Sequence, residues 1–388
     1  MFWKLQNNPY SKKDLQSYSK YLINSDQLTQ GKKVKYFEKQ FSVWNKSKYS
    51  IYVNSGSSAN LITVFAAKEY FDWKNGDEII VPSLTWPTTV TPVLQAGLKP
   101  QFVDCNLKDL SISYDDLKKI ITKKTKAIFI AHILGYPANM KKIIKIIGNK
   151  KITILEDCCE SIGAKINNKK IGNFGLAGTF SFYWGHHMTT IEGGMISTNS
   201  KKFYELCLLK RSHGFARDLD NKKLNLVSKK FKNIDKNFLF LTDGFNVRST
   251  NFNAFIGSHQ LTKLNSYINI RNKNFKIFYD VIKNFQKLVF TIGELNNLKN
   301  ISSYALPVIF YKKENLKKFK LLLKNNKIEF RPIISGNLLL QPFLKNKYKG
   351  KYPNSNLIHK HGIYLGNNQF VNKKNFLKLK SLLSKLII

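Results

Sequence analysis

The stretch Thr179 to Gly194 reads T-F-S-F-Y-W-G-H-H-M-T-T-I-E-G-G. It sets two adjacent histidines, His186 and His187, behind a glycine at the end of an apolar run. Histidine titrates near pH 6.5 and exchanges protons at neutral pH, so this spacing points to a site and not to a core. A second stretch, L-E-D-C-C-E-S-I-G-A, brings Asp157 and Glu160 to the end of the apolar segment Ile152 to Asp157. A third, Ser55-Gly56-Ser57-Ser58, separates an apolar segment from a helical one. Free amide groups at a helix start, with two hydroxyls, can hold a phosphate dianion. The same residues also read as an ordinary serine helix cap. Trp86, in V-P-S-L-T-W-P-T-T, offers an aromatic face, and Arg248 and Arg331 match carboxylate or phosphate bidentately. The cysteines Cys105, Cys158, Cys159 and Cys207 form no C-x-x-C pair, so reduced thiols and no metal site are expected.

These residues need a sheet to hold them. Strand-like segments at Tyr49 to Asn54, Glu78 to Pro82, Pro100 to Asp104, Ala127 to Leu134 and Ile152 to Asp157 alternate with helical ones. The helical segments are Lys35 to Trp44, Leu61 to Phe71, Trp86 to Gly97, Ser113 to Thr122 and Ala138 to Gly148. That rhythm predicts a mostly parallel sheet covered by helices, with ligands at the carboxyl ends of its strands. Two short strands flanking the histidines are expected from about Tyr183 to Asn199, a helix at Leu206 to Arg211, and a lysine-rich loop over the site at Ala216 to Asp243. Two helices follow, Asn251 to Leu264 and Ser266 to Gln286. Strands near Ala305 to Tyr311 and Ile328 to Arg331, with helices at Leu316 to Asn325 and Lys374 to Leu386, predict a small α+β unit. The polar first twenty residues are expected to lie across a neighbouring surface. The expected domains are 1–265, an N-terminal segment with the large domain, and 266–388, the small C-terminal domain.

The 388 residues are 43% hydrophobic and 13% aromatic, as in a folded domain with a sizeable core. No run approaches the roughly 18 apolar residues of a membrane span. The first residues lack the apolar centre of a signal peptide, so a cytoplasmic protein without membrane partners is expected. Lysine and arginine number 64 against 24 acidic residues, a net charge of +40. The lysines are scattered as pairs, such as Lys12-Lys13 and Lys222-Lys223, so a specific nucleic-acid interface is not expected. The field would still draw in a polyanion or a nucleotide sugar.

The histidine stretch resembles the cofactor segment of the DegT/StrS family of sugar aminotransferases, which use pyridoxal phosphate. Along the pattern F-S-F-x-x-x-K-x-x-x-x-x-E-G-G, the family's cofactor-binding lysine falls on His186. The likeness runs from about Gly31 to Leu261 and continues more weakly to the end. It implies an α/β architecture of PLP fold type I, aspartate aminotransferase-like, with a mostly parallel sheet in the large domain. By the same resemblance Gly56, Ser57 and Ser181 meet the cofactor phosphate, and Trp86 lies against the ring. Asp157 pairs with the ring nitrogen, Glu160 stands beside the ring hydroxyl, and Asn246 reaches the phosphate from the second subunit of a homodimer.

Histidine cannot replace the lysine as covalent anchor, but it can act as a general base. The segments S-H-G-F around His213, G-F-N-V-R around Asn246, F-R-P-I-I-S-G-N at Phe330 to Asn337 and Y-L-G-N-N-Q at Tyr364 to Gln369 are similar to those of the family's histidine-bearing 3-dehydratases. That branch implies pyridoxal 5'-phosphate and pyridoxamine 5'-phosphate as cofactor forms and L-glutamate as amino donor. His186, with His187 as its rival, would take a proton so that a nucleotide-activated 4-keto-6-deoxyhexose loses its C3 hydroxyl. The products would be a 4-keto-3,6-dideoxy sugar, 2-oxoglutarate and ammonia, in dideoxysugar biosynthesis for lipopolysaccharide O-antigen. Overall likeness favours GDP, with CDP and dTDP left open, and assigns His213, Arg248 and Arg331 to the substrates. Relatives with an iron–sulfur cluster carry a cysteine-rich segment after the histidine motif. Only Cys207 follows here, so no iron–sulfur cluster is expected. Two other readings stay open: a 4-aminotransferase using a lysine from Ala216 to Asp243, and a non-enzymatic polyanion-binding regulator on the same fold.

Overall fold

The computed structural model describes residues 2–290, 292 and 299–387. After two helices, α1 (Lys12–Ile23) and α2 (Lys32–Asn45), strands and helices alternate as β1 (Tyr49–Val53), α3 (Gly56–Tyr70), β2 (Glu78–Pro82), α4 (Pro87–Gln95), β3 (Lys99–Val103), α5 (Tyr114–Ile120), β4 (Thr125–Ala131), α6 (Met140–Ile147) and β5 (Thr153–Asp157). A two-residue ladder, β6 (Lys165–Ile166) with β7 (Lys169–Lys170), precedes β8 (Ala177–Ser181) and β9 (Gly194–Thr198). The long strands form one sheet in the order β1-β9-β8-β5-β4-β2-β3. Only β9 runs against its neighbours β1 and β8; the other pairings are parallel. Strands β2, β8 and β9 are buried along their whole length, the expected result when helices cover both faces.

The carboxyl ends of β1, β2, β4, β5 and β8 therefore lie along one edge, joined there by the start of β9. Gly194, the first residue of β9, stands against the turn that follows β1. A β-carbon on Gly194 would lie 2.2 Å from the Ser55 carbonyl oxygen. One on Gly56 would lie 2.6 Å from the Ser181 β-carbon. The small residues of S-G-S and E-G-G thus let β1, β8 and β9 meet at a single point.

Helices α7 (Lys201–Arg211), α8 (Asn221–Ser228) and α9 (Asn251–Ile282) lead to a second, four-stranded antiparallel sheet. It holds β10 (Val289–Phe290), β11 (Ala305–Phe310), β12 (Phe330–Pro332) and β13 (Gly362–Gly366) in the order β10-β11-β13-β12. Helices α10 (Lys313–Asn325), α11 (Pro353–His361) and α12 (Lys373–Ser384) belong to the same region. Its core includes Phe310, Phe319 and Leu379, and is continuous with Leu84, Ile133 and Leu134 from the loops of the large sheet.

Several expectations change. The two helices expected on either side of 265/266 are one helix, α9, because one apolar face continues from Ala254, Leu261 and Leu264 to Phe275, Phe278 and Ile282. The expected domain boundary falls inside it. Two strands flank the histidines as expected, but the first lies earlier than expected, at Ala177–Ser181, and the second is Gly194–Thr198. Helix α3 begins at Gly56, five residues before the expected start, with the Ser55 hydroxyl accepting the Ser58 N–H at 3.0 Å. Ala216 to Asp243 contains α8 and two short 3-10 turns in place of a long loop. The N-terminal residues pack on this chain itself: Tyr21 stacks on Phe255 of α9 at 4.2 Å, and the Trp3 indole N–H donates to the Gly366 carbonyl at 3.0 Å. Strand β13 and helices α1 and α11 carried no signal that had been read.

Gly194→Ala is expected to lower stability by about 1–3 kcal/mol, because the added carbon meets backbone and not a side chain that can swing away. Urea unfolding of the variant beside the parent checks this.

Candidate active site

A cavity of about 610 Å3 opens at the shared strand edge and is closed from the other side by the four-stranded sheet. Its size and mixed lining suit a small-molecule ligand. Seven of the sequence-chosen residues line it from the large sheet: Gly56, Ser57, Trp86, Asp157, Glu160, Ser181 and His186. Arg331 of β12 joins them from the opposite wall.

At the floor, Asp157 ends β5. Its Oδ2 accepts from the Asn60 amide at 2.8 Å and the Thr89 hydroxyl at 2.9 Å, while Oδ1 accepts the Cys159 N–H at 3.1 Å. Asn60 is itself fixed by the Thr179 hydroxyl at 2.6 Å. The carboxylate is thereby locked in one orientation by residues from α3, α4 and β8. Trp86 is 56% exposed at the N-terminus of α4, which leaves its indole face open to the cavity. Gly56 and Ser57 give the first two amides of α3, which have no intrahelical acceptor. Ser181 brings its hydroxyl to the same corner.

Glu160 lies just beyond, its Oε2 accepting the Leu134 N–H at 3.0 Å. Burial, aided by the nearby Asp157 charge, lifts its carboxyl to about 8 against that amide's opposing effect. Burial thus favours its protonated, neutral form.

The two histidines part company. His186 lines the cavity, its ring 5.2 Å from that of Tyr304 and 6.1 Å from that of Tyr183. Its Nδ1 is buried without a hydrogen-bond partner among the described residues. Burial and the Arg271 charge depress its pKa to about 3, with the Cys159 backbone opposing them in part. His187 turns the other way: its Nε2 lies 3.0 Å from the Ser302 carbonyl oxygen, and burial holds it well below the usual histidine range.

Asn246, His213 and Arg248 do not line this chain's cavity. They share a surface ladder in which Ser212 bridges Asn246 and Arg248 bridges Val53. Arg248 Nε donates to Asn246 Oδ1 at 3.1 Å. None of the residues of Ala216 to Asp243 lines the cavity either, against the expectation of a loop over the site: that segment packs beside α7.

Tyr304, Tyr364, Asn367, Glu329, Leu5 and Gln6 also line the cavity but were not read as site residues. Tyr364 and Asn367 sat inside the singled-out segment Y-L-G-N-N-Q, which was the available signal. Leu5 and Gln6 had none; the Leu5 N–H reaches the Glu329 carboxylate (2.8 Å) across the folded chain. His132, Glu156 and Cys158 bring nitrogen, oxygen and sulfur atoms within 4.8 Å of one another. Those donors are already used. The Ala138 N–H donates to His132 Nδ1, and Glu156 accepts from the amides of Gly172, Phe174 and Gly175. The cluster is a hydrogen-bonded knot beneath the site.

The residues present fit pyridoxal phosphate: an open helix start with hydroxyls for a phosphate, an oriented carboxylate, an exposed indole face and a free imidazole nitrogen meet in one cavity. No lysine lines it.

Because the Glu160 carboxyl is raised to about 8 in the folded chain from an ordinary 4.5, its stabilising effect is full below pH 4.5 and is lost as the pH rises through 8. Glu160→Gln removes this titration. Urea unfolding of cofactor-free protein should show the variant gaining on the parent between pH 5 and pH 8.5, values set on the order of one unit around that window.

The profile of the DegT/DnrJ/EryC1/StrS aminotransferase family matches residues 9–376. The chain is 36% identical to the GDP-4-keto-6-deoxy-D-mannose 3-dehydratase of Yersinia pseudotuberculosis, over 98% of each chain. It superimposes on an Escherichia coli GDP-4-keto-6-deoxy-D-mannose 3-dehydratase with bound hydrated pyridoxal phosphate with a TM-score of 0.89 at 35% identity, covering 98% of this chain and 99% of the other. A structure of GDP-4-keto-6-deoxymannose 3-dehydratase with a trapped pyridoxal phosphate–glutamate geminal diamine matches with a TM-score of 0.90 at 35% identity, covering 98% and 100%. With the fold, the cavity and these likenesses in agreement, the chain belongs to the DegT/DnrJ/EryC1/StrS family of aminotransferases.

Proposed function

We propose that this chain removes the C3 hydroxyl of GDP-4-keto-6-deoxy-D-mannose, using pyridoxal phosphate and its pyridoxamine form with glutamate as amino donor. The observation that carries this is His186: its imidazole stands in the cavity wall with Nδ1 unpartnered among the described residues, and no described lysine lines that cavity. The overall balance is substrate plus glutamate giving the 4-keto-3,6-dideoxy sugar, 2-oxoglutarate and ammonia. Bound in this cavity, the cofactor supplies an electron sink for the sugar carbons next to the ketone.

The chain's own residues then have separable tasks. Gly56, Ser57 and Ser181 hold the phosphate, joined by Asn246 from a second subunit. Asp157 keeps the ring nitrogen protonated, since a fixed carboxylate favours the charged partner. Trp86 covers one face of the ring and Glu160 serves its hydroxyl. His186 takes the proton and, with no lysine to return it to the sugar C4, leaves expulsion of the C3 hydroxyl as the open course. Anions brought in by cofactor and substrate move the imidazole upward from its ligand-free value, toward useful basicity. Arg331, on the wall formed by the four-stranded sheet, takes an anionic group of the substrate, and His213 and Arg248 take theirs from the surface ladder.

The dimer is supported by that ladder, whose exposed Asn246 lies outside the cavity that His186 lines. Phe238 and Phe240 stand 62% and 52% exposed close by in sequence, as an uncovered contact surface would. Sedimentation should show a species of twice 44.9 kDa. Work in the cytoplasm is supported by four free cysteines, two of them adjacent. Among the described residues no helix is long and apolar enough to cross a membrane.

The test follows ammonia and the mass of the sugar when purified protein, pyridoxal phosphate and glutamate meet GDP-4-keto-6-deoxymannose. Ammonia with loss of the C3 oxygen is expected, and His186→Asn should lower kcat by about 10²–10⁴-fold. A 4-amino sugar without ammonia would overturn the reading. Turnover restricted to a CDP or dTDP analogue would change the nucleotide alone.

A further inference from the structure

We infer that Arg271 is a positioning residue for His186, its guanidinium tying the histidine turn to the four-stranded sheet. The inference rests on the proposed role of His186 as the base. Arg271 lies on the inward face of α9 and is 1% exposed. Its Nη1 donates to the Tyr304 carbonyl at 2.9 Å and to the Asn367 carbonyl, and its Nη2 to the His186 carbonyl at 3.2 Å. Those three carbonyls belong to the segment before β11, the segment after β13 and the turn that carries the imidazole. One planar, forked cation can serve three such acceptors together, which a lysine ammonium on a flexible stem does poorly.

The site around the guanidinium is built. Asn367 Nδ2 donates to the Arg271 carbonyl at 2.9 Å, and Asn274, three residues further along α9, donates to Asn367 Oδ1 at 3.1 Å. Burying a cation against neutral carbonyls is costly, and nothing in the apolar packing of α9 asks for it. What the cation does touch is the backbone of the residue whose ring faces the cavity. The same segment holds that turn a second time, through His187 and the Ser302 carbonyl. His186 itself is faced by Arg271 from α9 and by Tyr304, behind which stand Tyr364 of β13 and Glu160. From its own edge it meets Tyr183, His187 and the Cys159 backbone. Arg271 is thus set to fix both where the imidazole stands and that it begins neutral, without contacting substrate.

Nitrogen-15 NMR titration of the histidine rings in cofactor-free protein tests this independently of turnover, with His186 assigned by the signal lost in H186N. In the parent the ring should stay neutral as the pH falls to about 4. In R271Q its midpoint should rise by about one pH unit or more. The loaded variant should lose about tenfold in kcat, with KM for glutamate within about twofold. If R271Q does not fold, R271K carries the positional test: one ammonium cannot hold three carbonyls, so kcat should again fall about tenfold in folded protein. An ordinary midpoint near 6.5 in the parent would overturn the inference. So would folded R271Q with unchanged midpoint and kcat, or R271K at full activity. Turnover surviving in H186N would instead sink the reading of the base, which the titration does not depend on.

Discussion

Glu156 and Asp157, adjacent at the carboxyl end of β5, point to opposite faces of the sheet because side chains alternate along a strand. Below, the buried Glu156 accepts three backbone N–H groups from Gly172, Phe174 and Gly175, with His132 at 3.3 Å. That fixes the turn delivering β8, and β8 in turn delivers Ser181 and the histidine stretch. Above, Asp157 is held by Asn60 of α3 and Thr89 of α4. A buried carboxylate is tolerable only when fully hydrogen-bonded, so each acid forces several elements into register around it. The ligand edge of the sheet is built outward from this pair.

Two kinds of contact complete the site. Close backbone approach at Gly56 and Gly194 brings the start of α3 against β8 and β9, so that amides and hydroxyls converge on one corner. Across the cavity, Arg331 and Tyr364 stand on a separate sheet, with Tyr304 just before its strand β11, and the core of that sheet merges with the loops after β2 and β4. The apolar join makes the far wall rigid enough to position groups opposite Asp157. The histidine turn spans the gap, its ring in the cavity and its backbone held from the far side.

Much of this was legible in the sequence. The strand Glu78–Pro82 carries its own boundaries in glycine before and proline at the end, and Asp157 closes the strand-like run I-T-I-L-E-D. Serine caps marked helix starts within a few residues. Resemblance to the family's cofactor segment, carried by the stretch from Phe180 to Gly194, set the expected position of the cofactor lysine on His186. Less visible was α9, expected as two helices, Asn251 to Leu264 and Ser266 to Gln286, because local composition says nothing of what a helix packs on; the buried face running from Ala254 to Ile282 decides that it continues. A polar Arg271 on that apolar face, with Asn274 three residues on, is the trace that a closer reading of helical periodicity would have caught.

The sequence by itself determined the alternation of elements, the ends of the parallel strands and the chemistry available at each end. These follow from short-range rules: side-chain period, caps and glycine at close approaches. Tertiary structure decided which of two adjacent histidines faces the cavity, since His187 is drawn away by a carbonyl 115 residues further along the chain. It also decided that the N-terminal arm forms part of the wall, through a hydrogen bond from Trp3 to Gly366 spanning 363 residues. Contacts of that separation depend on the packed core and not on neighbouring residues, so no local pattern records them.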